Sequence, residues 1–89
     1  MSDALMASLR AQFRASTTER LREMTSLLDA LDGDPGARER LQRHFHALAG
    51  LGATYGYPRI SELGDAGERT EDPARWRELV DAVGSALMR

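Results

Sequence analysis

Chemistry in this chain has few residue types to draw on: two histidines, fourteen Asp and Glu, and no cysteine. All twelve basic residues are Arg. The missing thiols exclude a disulfide scaffold, a cysteine-built zinc site and a thiolate nucleophile. That leaves imidazole beside carboxylate as the chemistry most within reach. His44 and His46 are two residues apart, which on a helix sets them about 200° apart, so they cannot chelate a metal as an i, i+4 pair would. His44 falls beside the inner face of its helix and reads as a packed edge residue. His46 lies about 140° from the inner face marked by Leu41, and so points outward.

Side chains on a helix lean over the preceding turn, so His46 would be covered by the residues three and four later. These are Ala49 and Gly50, and Ala53 follows along the same strip. A partner's backbone could therefore approach the ring closely. Gln42 and Arg43 precede it at i−4 and i−3. If this helix and the next form an antiparallel hairpin turning at Tyr57-Pro58, residues equidistant from the corner lie level. His46 is then level with about Gly67 to Arg69, and Glu68 can accept a hydrogen bond from one ring nitrogen and leave the other free as a nucleophile. Asp65, a turn earlier, is a second candidate for that role.

The elements that must position these groups follow from apolar spacing punctuated by Pro35, Pro58 and Pro73. Leu5, Leu9 and Phe13 predict a short N-terminal helix. Ser16-Thr17-Thr18-Glu19 then has the form of a capping box opening a second helix, with Leu21, Met24, Leu28 and Leu31 on one face. Asp32 to Gly36 is a turn sequence. A third helix is expected from Pro35 or Ala37 to Gly56, with Leu41, Phe45, Leu48, Gly52 and Tyr55 inward. Gly50, Gly52 and Gly56 each cost it about 1 kcal/mol relative to Ala if helical. Ile60, Leu63, Gly64 and Gly67 define a fourth helix. Asp72 caps a fifth, which begins at Pro73 and carries Trp76, Leu79, Val80, Val83 and Leu87 inward. No segment alternates as a strand does. The expected fold is all-α: an antiparallel up-and-down four-helix bundle with a short additional N-terminal helix, one domain over residues 1–89.

The run His46-Ala47-Leu48-Ala49-Gly50-Leu51-Gly52-Ala53-Thr54-Tyr55-Gly56-Tyr57 resembles the signature of histidine phosphotransfer (HPt) domains. In that signature a His is followed by an aliphatic at two, Lys at three, Gly at four, a small residue at six and an aromatic-Gly pair at nine and ten. Leu48, Gly50, Gly52, Tyr55 and Gly56 match, whereas Ala49 stands where the family has lysine. The resemblance implies a phosphocarrier in which His46 takes a phosphoryl group from a receiver aspartate or a histidine kinase, hybrid kinases included. It then passes the group to a response-regulator receiver. Glu68 occupies the position from which relatives of the chemotaxis-kinase type hydrogen-bond the ring. With no lysine at 49, the phosphoryl group would rely on Arg43, Gln42 or partner groups. Ala49, Gly50 and Ala53 would form the docking strip, and the Mg²⁺ would be held by the partner receiver.

The rest of the composition narrows the possibilities. A net charge of −2 gives no footprint for nucleic acid or an anionic membrane. No stretch approaches the roughly 18 apolar residues of a membrane span, and the N-terminus lacks the basic start of a signal peptide. A cytoplasmic monomer without cofactor, metal site or ATP-binding domain is expected, and therefore no enzyme in its own right. Two other classes compete. Ala49 favours a non-phosphorylated adaptor that binds receiver or kinase domains without chemistry. A helical dimerisation module would need an exposed apolar stripe, which no helix offers.

Overall fold

Apolar residues spaced three and four apart recur along the chain, and the described residues fold into four helices. These are α1 (Asp3–Asp29), α2 (Ala37–Leu51), α3 (Pro58–Glu68) and α4 (Pro73–Leu87), with a 3-10 turn at Ala53–Tyr55. The structure, a computed structural model, describes residues 2–89. Among the described residues there is no strand, and no helix is long and apolar enough to cross a membrane. Each helix packs on the next and α4 returns to α1, closing an antiparallel four-helix bundle. Trp76, Phe45, Met24, Leu41, Leu48, Ile60, Leu79 and Val83 form its fully buried centre. The inward residues expected on α3 and α4 are all buried.

Two boundaries differ from the sequence expectation. The short N-terminal helix does not exist separately, because α1 runs unbroken through Ser16-Thr17-Thr18-Glu19. The Ser16 hydroxyl donates back to the Phe13 carbonyl and Thr18 to the Arg14 carbonyl, while Thr17 is buried. Hydroxyls that bond back to i−3 and i−4 carbonyls are compatible with a helix interior, so the capping-box pattern opens nothing. The true cap is Ser2, whose Oγ accepts from the Leu5 N–H at 3.1 Å. At about 1.5 Å per residue α1 is about 40 Å long, against about 22 Å for α2 or α4.

The second difference is that α2 ends at Leu51 rather than Gly56. The Tyr55 and Tyr57 N–H groups both donate to the Gly52 carbonyl, at 3.2 and 2.8 Å, and the Ala53 N–H donates to Ser61 Oγ at 2.7 Å. These bonds tighten the chain into a corner that places Pro58 at the start of α3. Gly56 takes φ 89°, the left-handed conformation that glycine adopts without a Cβ penalty. Phe13 stacks on both Tyr55 and Tyr57, with centroids 5.2 and 5.4 Å apart, and ties the corner to α1. The expected start of α4 stands: Asp72 Oδ1 accepts from the Ala74 N–H at 3.0 Å, one residue after Pro73.

Candidate functional site

Glycine sets how closely α2 and α3 approach. A side chain at Gly64 would press on the α2 backbone, 2.7 Å from the Phe45 carbonyl oxygen and closer still to the Ala49 nitrogen. One at Gly67 would overlap the Phe45 ring. At the far end of α3, the Trp76 indole donates to the Gly67 carbonyl at 3.0 Å, occupying an acceptor that the helix terminus leaves free. The next residue is Glu68. Its position beside α2 is therefore fixed by a glycine contact on one side and a buried indole hydrogen bond on the other.

His46 is 80 % exposed, and its Nδ1 lies 2.8 Å from Glu68 Oε2, whose side chain is 32 % exposed. A carboxylate only accepts, so Nδ1 carries the hydrogen and donates. In the neutral ring Nε2 then holds the lone pair, on the side away from Glu68. The hairpin register had two candidates for this bond, and the structure separates them: Asp65 pairs with Arg69 at 2.8 Å. Glu68→Ala is expected to move the neutral ring from mainly Nδ1–H toward the Nε2–H tautomer. Long-range ¹H–¹⁵N spectra of the imidazole would show it, and unchanged spectra would mean that Glu68 does not hold the ring.

The surroundings of His46 are bare in the direction of the C-terminus. Gly50 is exposed, and a Cβ there would meet nothing within 4 Å. Ala49 is half-buried against α3, and Ala53 is exposed but stands in the 3-10 turn rather than on the helical strip. On the other side, Arg43 is 70 % exposed and pairs with Glu39 at 3.3 Å. Gln42 is half-buried. Among the described residues neither hydrogen-bonds the His46 ring, whose partner is Glu68.

His44 is a different kind of histidine. Only 14 % of its side chain is exposed, and α1 occupies both ring nitrogens: Arg20 lies 2.7 Å from Nδ1 and Glu23 3.3 Å from Nε2. Arginine only donates, so Nδ1 accepts and Nε2–H faces the carboxylate. The ring serves the α1–α2 packing, as its edge position predicts. Sequence reasoning did not find the Trp76–Gly67 bond or the Arg20–His44 bond. A buried indole N–H needs an acceptor, which is the signal for the first, though it does not say where the acceptor lies. Among the described residues, no cluster of three His, Asp or Glu side chains could hold a metal ion.

In comparisons with known proteins, the model of the family described as "Hpt domain" matches residues 8–88. Neither the curated proteins nor the solved structures gave a match.

Proposed function

The chain belongs to the Hpt domain family, and from that premise we propose that it is a phosphorelay carrier whose phosphoacceptor is His46. Hpt domains act in phosphotransfer in two-component signalling, alongside receiver domains and kinases, and have no kinase activity of their own. The observation that carries the specific reading is the pairing of a ring bonded through Nδ1 to Glu68 with the open surface at Gly50. The Nε2 lone pair attacks the phosphorus of a receiver's aspartyl phosphate. The bond from phosphorus to the carboxylate oxygen breaks, and a phosphoramidate forms at Nε2. The hydrogen stays on Nδ1, which keeps donating to Glu68, and the carboxylate charge offsets the positive charge that the ring acquires. The reverse reaction passes the group to a second receiver.

Phosphoryl transfer is mainly positioning and charge stabilisation. With alanine at 49, no lysine from this chain reaches the phosphoryl oxygens; Arg43 and Gln42, at one turn before His46, and the receiver's Mg²⁺ take that part. The docking surface centres on Gly50, with the half-buried Ala49 beside it and Ala53 beyond it in the 3-10 turn. The protein acts as a cytoplasmic monomer.

Incubation with a phosphorylated receiver should place an acid-labile phosphate on the wild-type chain. Gly50→Gln is expected to fold normally and to slow this labelling about a hundredfold, the cost of holding reacting atoms roughly 1 Å too far apart. An unchanged rate would show that no partner approaches over Gly50. The second reading, an adaptor without chemistry, draws on Ala49. It predicts receiver binding that survives His46→Ala, with no phosphohistidine at all.

A further inference from the structure

Nine of the twelve arginines are engaged. Seven pair with carboxylates, Arg20 bonds His44, and Arg38 donates to the Glu71 carbonyl while covering the Trp76 ring. Among the described residues the other three, Arg10, Arg14 and Arg89, have neither an ion pair nor a side-chain hydrogen bond. All three line one cleft of about 380 Å³ at the corner end of the bundle, and Arg59 lines it with them. Among the described residues no Asp or Glu lines this cleft. In a chain of net charge −2, three unpaired guanidinium groups around one cavity, with a fourth that is paired to Glu62, are a strong local departure.

The fold, rather than chance rotamers, gathers them. Arg10 and Arg14 are i, i+4 on α1 and so share a face. The Arg10 guanidinium rests on Gly56, where a Cβ would lie 2.8 Å from its Nε. Arg59 is the second residue of α3 and binds Glu62 at 3.1 Å with one nitrogen, leaving the rest of its fork available. The N-terminus of α3 and the C-terminus of α4 meet here, so their dipoles oppose and the guanidinium groups set the field. Tyr57, Pro58 and Ala86 supply an apolar wall.

From this arrangement we infer a second binding site, for a small organic phosphate. Its phosphoryl oxygens would take the forked donors of Arg10, Arg14 and Arg59, a geometry that guanidinium matches and ammonium does not. Its organic part would lie on Tyr57 and Pro58. The cleft shares no residue with the His46–Glu68 pair, so the inference stands or falls independently of the phosphocarrier reading.

The test is an amide NMR titration of the intact chain with inorganic phosphate, pyrophosphate and adenosine diphosphate at fixed ionic strength. Saturable shifts at Gly56, Tyr57, Arg59 and Ile60 are expected, with adenosine diphosphate binding more tightly than inorganic phosphate. Arg10→Gln with Arg14→Gln should weaken binding at least about tenfold, two charge-assisted bonds being removed. Arg22→Gln, which alters an already paired arginine of the same helix, should change nothing. Ala86→Glu, which puts an acid at the wall, should abolish binding without disturbing the His46 spectra. Non-saturating shifts spread over all arginines, or equal affinity in the double variant, would overturn the inference. So would a cleft that ignores all three anions but binds an acidic protein surface.

Discussion

His46→Gln is expected to abolish transfer of an acid-labile phosphate from a phosphorylated receiver, with no loss of folding. Glutamine fills much of the space of the ring but offers no nucleophilic nitrogen. Because the side chain is 80 % exposed, stability should stay within about 0.5 kcal/mol of wild type. His44 cannot take over. Arg20 and Glu23 occupy both its nitrogens, and it faces α1 rather than solvent. Labelling should accordingly survive His44→Gln. Equal labelling of His46→Gln, or loss of labelling only in the His44 variant, would move the site.

Gly64→Ala should destabilise the bundle, while Gly50→Ala should stabilise it. Both residues are in helices, so each replacement gains helix propensity, about 1 kcal/mol at the interior Gly64 and less at Gly50, one residue from the end of α2. At Gly50 the new methyl meets nothing, and the gain stands. At Gly64 it overlaps the α2 backbone at Phe45 and Ala49, which cannot move aside as a side-chain tip could. Overpacking of this kind costs up to about 3 kcal/mol or more. The net loss is then about 2 kcal/mol, which lowers the thermal midpoint of an 89-residue domain by about 10 °C. Urea unfolding of the two variants beside wild type would check both signs. A Gly50→Ala variant less stable than wild type would mean that this glycine serves the fold, removing the argument that it keeps the surface clear.

Much of the site was legible because a helical hairpin converts spacing into geometry. The distance of His46 from the Tyr57-Pro58 corner, counted back along α3, reaches Glu68, and the 2.8 Å bond lies there. The same count put Asp65 a turn too early and left it second to Glu68, and in the structure Asp65 pairs with Arg69 instead. The inward faces of α3 and α4 and the Asp72-Pro73 start were readable from period and cap alone. The break expected at Ser16 was misread because a capping box and a mid-helix pair of back-bonded hydroxyls share the same residue types. The early end of α2 escaped for another reason. The inner-face period continues through Gly52 and Tyr55, while the backbone bonds to Gly52 and Ser61 that turn the chain leave no mark in hydrophobicity.

The most direct measurement is ¹⁵N NMR of histidine-labelled protein after reaction with a phosphorylated receiver. Phosphorus bonded to Nε2 of His46, with Nδ1–H retained toward Glu68, is the expected result. Phosphorus on Nδ1, phosphorus on His44, or a receiver that binds without leaving any phosphohistidine would contradict it.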